Sequence, residues 1–194
     1  PQWAQAGGRN SLLARIDDQK TRQIIIDEIV ERILFDRGGG HPKNIFISKS
    51  SWNTSMEGKN LADLCIERNL EPSPYNAAIV VFEIIKGGGA TAVYHAINSD
   101  DVDRIMQHPM TSIASDGPIT VFDVGSPHPR TYGTYARVLG RYVRDRNILS
   151  LEEAIRKMTS LPAQILSINK RGLLSEGYYA DITIFDPETV IDKA

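Results

Sequence analysis

Apolar positions set the first divisions of the chain. Residues 21–34 carry Ile25, Ile26, Ile29, Val30 and Ile33 at the three-and-four spacing of a helix face. Gly38-Gly39-Gly40 ends that element, because glycine tolerates a left-handed cap. Residues 44–48 alternate as a short strand, and a polar loop around Trp52 follows. Asn60 then caps a helix with Leu61, Leu64, Cys65 and Ile66 turned inward and Asp63 in its first turn, where a carboxylate is favoured. Ser73-Pro74 opens another helix in the N-cap and N1 positions, and Gly87-Gly88-Gly89 stops it after about Lys86.

Beyond these glycines the order becomes regular. Residues 91–97 read as a strand. Ser99 caps a helix with Asp100 and Asp101 in its first turn and Val102, Ile105 and Met106 on its apolar face, and Pro109 breaks it. Residues 110–115 read as a second strand, ending in Asp116-Gly117. Strand, helix and strand in this order make the unit of a parallel sheet or a (β/α) barrel. A long loop with Pro118, Pro127 and Pro129 leads to a helix around Tyr135 to Arg144. Ser150 with Glu153 forms a capping box for a helix from Leu151 to about Thr159. Residues 171–186 read as a β-hairpin or a strand entering a sheet. The alternation makes the fold class α/β.

Composition narrows the function classes. The chain has 194 residues, 41% hydrophobic and 24% charged, with a net charge of -2, which suits an ordinary globular protein and argues against a nucleic-acid partner. No apolar run reaches the length needed to span a bilayer, so no membrane partner is expected, and the polar start Pro1–Ala6 is not followed by a signal-peptide core. The single cysteine, Cys65, excludes an intramolecular disulfide and fits a reducing, cytoplasmic setting. The chain opens on Pro1 and closes at Ala194 just after the strand-like residues 180–185, which reads as a piece of a longer protein.

The sharpest candidate for chemistry is Asp116. A carboxylate at the C-terminal tip of a barrel strand can hold a metal-bound water and shuttle its proton; the commoner role of Asp-Gly is to start a turn. Arg130, in the run His128-Pro129-Arg130-Thr131-Tyr132-Gly133, can grip a substrate carboxylate from a loop through two parallel hydrogen bonds, or fix that loop with a salt bridge. His128 lies close to Arg130 and lines the same loop. The four histidines, His41, His95, His108 and His128, make no His-x-His pair and no helical pair, so metal-site spacing is absent. His108 reads as a helix C-cap, His95 as a hydrogen-bonded core residue, and Cys65 as a small buried hydrophobe. Neither triple glycine matches a nucleotide-binding loop.

As a set, Ile113–Gly117, His128–Gly140, Leu151–Ala163 and Gly177–Pro187 resemble the D-aminoacylase (N-acyl-D-amino-acid deacylase) group of the amidohydrolase superfamily. The opening Pro1–Gly8 is similar to a segment from the middle of such enzymes. The resemblance implies a partial (β/α)8 barrel, with residues 1–88 as an insertion between late strands, 89–170 as the terminal βα units, and 171–194 as the start of a small C-terminal β-domain. It implies zinc as cofactor, with Asp116 as acid/base and candidate metal contact and the other ligands expected upstream of Pro1. It implies an N-acyl-D-amino acid as small-molecule substrate, with Arg130, His128 and Tyr132 as substrate-binding residues. The isolated chain is expected to be inactive or nearly so, with self-association or an adapted fold as its two ways to cover the unpaired edges that open strands leave. A related cyclic-amide hydrolase of the dihydroorotase or hydantoinase type, or a non-catalytic carboxylate-binding module, are the alternatives.

Overall fold

The computed structural model describes residues 1–119, 121 and 128–193. Pro127, assigned above to the long loop, and the closing Ala194 lie outside the described residues. Among these residues the chain is a mixture of helices and one small sheet, and it divides into two compact units, the first built from residues 1–97 and 121 and the second from residues 98–119 and 128–193.

The first unit opens with α1 (Gln2–Gln5) and α2 (Gly8–Asp17), two helices that lack the periodic apolar face by which the others are recognised. α3 (Gln19–Phe35) covers the expected helix and starts two residues earlier, because the Asp18 carboxylate accepts from the Thr21 N–H and caps it. β1 (Ile45–Lys49) alternates buried and half-buried positions as its sequence requires. α4 (Leu61–Ile66) is closed by a full capping box between Asn60 and Asp63. Its Ile66 faces solvent rather than the core, because four other residues already fill the inner face of this six-residue helix.

α5 (Pro74–Gly87), capped by Ser73, separates two apolar clusters. Ala77, Val80 and Ile84 meet Ile33, Ile45, Ile47, Leu61 and Leu64, while Ala78 and Phe82 meet Ile16, Ile25 and Ile26. A helix buried on two faces needs apolar residues beyond a single stripe, which explains its continuous apolar run. β2 (Thr91–Tyr94) is shorter than the expected 91–97 and pairs antiparallel with β1, Ile45 opposite Tyr94 and Ile47 opposite Ala92.

That pairing corrects the strand–helix–strand reading. The edge of β2 is taken by β1 from the same unit, not by a parallel partner from residues 110–115. Residues 110–115 form no strand; the Ile113 N–H donates instead to the Lys157 carbonyl at 3.0 Å. Residues 171–186 form neither hairpin nor strand, and Ile182 and Ile184 stand exposed, because no second strand is offered to them among the described residues.

The second unit begins with α6 (Ser99–Gln107), whose cap is Asn98 rather than Ser99: the Asn98 carboxamide accepts from the Asp100 N–H at 2.8 Å. His108 is its C-cap, as expected. α7 (Arg130–Arg137) runs on as a π-helical stretch over Val138–Asp145, so the helix starts well before Tyr135. α8 (Leu151–Met158) carries only half of its capping box: Ser150 accepts from the Glu153 N–H, but the Glu153 carboxylate turns to Arg156. α9 (Ser160–Ile165) follows. The core joins Val138, Leu139, Leu149 and Ala154 to Met106, Ile113, Phe185 and Val190, so the closing segment packs here without being a strand.

Candidate active site

Three local features bring the predicted residues together. The backbone at Asp116 takes a positive φ of 47°, a conformation that Asp tolerates better than most residues, and turns the chain at the end of the 110–115 segment. Gly117 then lies flat against the start of α7: a Cβ there would come within 2.9 Å of Thr131 Cα and 3.0 Å of the Arg130 carbonyl oxygen. Only glycine allows this approach. Arg130 is the first residue of α7, not a loop residue, and its guanidinium Nη1 lies 3.3 Å from Asp116 Oδ2.

The pair is open to water. The Asp116 side chain is 88% exposed and that of Arg130 44%. One exposed contact of this kind contributes at most about 1 kcal/mol to stability. Its interest is chemical: a carboxylate and a guanidinium share one exposed surface. The hydroxyl of Thr131 is buried beside them with no hydrogen-bond partner among the described residues. His128 supports the start of α7, its Nδ1 accepting from the Arg130 N–H at 3.1 Å and its carbonyl from the Thr131 N–H at 2.9 Å. Tyr132 is half-exposed on the first turn. The far end of α7 is anchored by Arg137, which binds the nearly buried Asp192 carboxylate at 2.7 Å; that contact raises the guanidinium pKa.

Other predicted roles change. His95 is exposed, its ring edge-on to Phe46 at 5.2 Å, so it is not a core residue; the strand it was assigned to stops one residue earlier. His41 and His108, like His128, each use Nδ1 to accept a backbone N–H two residues on. Cys65 is buried, and burial pushes its thiol pKa up, as for an inert small hydrophobe. Among the described residues no three His, Cys, Asp or Glu side chains converge as a metal site, so those present do not make up a zinc centre. No helix among them is long and apolar enough to cross a membrane.

One group escaped the sequence reading. Glu153, Arg156 and Lys157 on α8 bind each other and the 108–111 backbone that leads to Asp116. The available signal was the spacing Ala154, Lys157, Leu161, which puts the lysine in line with buried positions.

Residues 79–193, which include every residue of this site, match the sequence profile of the amidohydrolase family. The chain belongs to that family. Within it the resemblance is to the D-aminoacylase group. The chain is 45% identical over 105 residues to an N-acyl-D-glutamate deacylase of Alcaligenes xylosoxydans xylosoxydans, covering 54% of this chain and 21% of that protein. It is 40% identical over 139 residues to a D-aminoacylase of the same organism, covering 72% and 26%. The crystal structure of an N-acyl-D-glutamate deacylase from Bordetella bronchiseptica, complexed with zinc and a phosphonate mimic of the tetrahedral intermediate, superposes with a TM-score of 0.67 at 36% identity, over 86% of this chain and 31% of that one. The chain thus spans between a fifth and a third of the length of these relatives.

Proposed function

We propose that this chain is part of a metal-dependent amidohydrolase that cleaves N-acyl-D-amino acids to a carboxylate and a D-amino acid. The observation that carries the reading is the Asp116–Arg130 pair, which joins an acid/base group to a carboxylate-binding cation in a chain of this family. In the reaction, the oxygen of a water adds to the amide carbonyl carbon while its proton passes to the Asp116 carboxylate. The C–N bond then breaks, Asp116 returns the proton to the departing nitrogen, and the carboxylate is regenerated. Arg130 holds the α-carboxylate of the substrate, with His128 setting the start of its helix and Tyr132 beside it.

Zinc is the proposed cofactor, as in the Bordetella relative. Asp116 supplies at most one of its donors, and the described residues offer no set of three, so the 194-residue chain alone is proposed to be inactive. The architecture proposed for the whole enzyme is a (β/α)8 barrel, with residues 1–88 as an insertion, 89–170 as terminal βα units and 171–194 as entry to a small β-domain. Exposed Ile182 and Ile184 support that last assignment and give a reason for self-association of the chain alone. A cytoplasmic setting is proposed from the single reduced cysteine.

The test is turnover of N-acetyl-D-glutamate and N-acetyl-D-methionine by the enzyme that carries this chain. Release of the D-amino acid supports the reading; hydrolysis of hydantoins without it overturns the reading.

A further inference from the structure

Among the described residues, Lys157 is the one charged residue wholly withdrawn from water. Burying an ammonium is unfavourable unless its three N–H donors find acceptors. Here two of them do, Nζ donating to the His108 carbonyl oxygen at 2.5 Å and to that of Thr111 at 3.1 Å, and Glu153 Oε1 lies 3.5 Å away as an ion-pair partner. The neighbouring Arg156 donates Nη2 to the Pro109 carbonyl at 2.5 Å and is held by both oxygens of Glu153. The Lys157 carbonyl accepts from the Ile113 N–H at 3.0 Å. Two adjacent residues of α8 therefore bind residues 108–113 at four points. That segment reaches Asp116 three residues later and has no sheet ladder of its own. The ammonium supplies two of these four contacts, those to the carbonyls of His108 and Thr111.

We propose that Lys157, aligned by Glu153, is a positioning residue: it fixes the 108–113 backbone and through it the turn that presents Asp116 to Arg130. This rests on the reading of Asp116 as the acid/base. The role differs from a purely stabilising one. Lys157→Met keeps the length and apolar stem of the side chain while releasing the carbonyls of His108 and Thr111; removing one partner of a buried pair also destabilises, so kcat is measured per folded enzyme and read beside the amide exchange. A small displacement of a reacting group is costly in rate, up to about 100-fold for 1 Å.

The experiment compares wild type, Lys157→Met, Glu153→Gln and Asp116→Asn in the enzyme that carries this chain, with N-acetyl-D-glutamate as probe, and follows amide exchange at Ile113 and Gly117. Lys157→Met is expected to lower kcat about 10–100-fold with KM within about 3-fold, and to speed exchange at Ile113 and Gly117. Glu153→Gln is expected to show the same pattern at smaller size, and decides the matter if Lys157→Met does not fold. A kcat within about 2-fold of wild type in Lys157→Met, with Asp116→Asn inactive, overturns the proposal; so does unchanged exchange. If Asp116→Asn itself keeps the wild-type rate, the reading of Asp116 falls, and the exchange data alone decide whether Lys157 holds the segment.

Discussion

The guanidinium of Arg130 lies 3.3 Å from the carboxylate of Asp116, where Gly117 packs directly against the backbone of Thr131 and Arg130. The two side chains come from opposite ends of the 117–129 stretch, and those ends meet at this one glycine. Two predictions concern this geometry directly.

Gly117→Ala inserts a methyl group where Thr131 Cα and the Arg130 carbonyl leave 2.9–3.0 Å. Backbone cannot move aside as a flexible side chain can, so the substitution is expected to destabilise the second unit by about 1–3 kcal/mol and to part Asp116 from Arg130. Chemical denaturation and the rate on an N-acyl-D-amino acid check both effects; an unchanged midpoint and rate count against the described turn.

Arg130→Ala removes the cation proposed to bind the substrate carboxylate. A charged hydrogen bond of about 1.5–3 kcal/mol corresponds to a rise in KM of about 10–100-fold, with kcat less affected. Arg130→Lys is expected to recover part of it, since a lysine restores the charge but not the planar fork. Steady-state kinetics on N-acetyl-D-glutamate separate the two parameters; a loss confined to kcat contradicts the assignment.

Legibility of the fold followed how local each signal was. α3, α4, α5, α6 and α8 were readable because spacing and caps act within a few residues. The strands expected at 110–115 and 171–186 were not, because alternating apolar residues become a strand only when a partner strand is present, and pairing is non-local. α1 and α2 lacked the apolar stripe that announces a helix. At the site, Asp116 was marked by its place at the tip of an expected strand over 110–115, which does not form, and Arg130 by its run of motif residues. Lys157 was hidden, because a lysine on a helix ordinarily reads as solvated and only the tertiary structure reveals the carbonyls that hold it.

Acid should weaken the α8 network in a defined window. Hydrogen bonds from Arg156, followed by the Arg156 and Lys157 charges, lower the Glu153 pKa from 4.5 to about 2. A carboxyl held lower in the folded state than in the unfolded one stabilises fully above 4.5 and loses that contribution as pH falls toward 2. The difference in denaturation midpoint between wild type and Glu153→Gln is therefore expected to be largest near neutrality and to shrink between these values. A difference that stays constant with pH contradicts the ion network.

The most direct test is Asp116→Asn in the enzyme that carries this chain, which keeps the size of the side chain and removes its capacity to take a proton. Loss of a general acid/base lowers kcat by about 100- to 10,000-fold, and the account predicts a fall in that range on N-acetyl-D-glutamate, with binding of the D-amino acid product retained through Arg130. A kcat within a few-fold of wild type would contradict it.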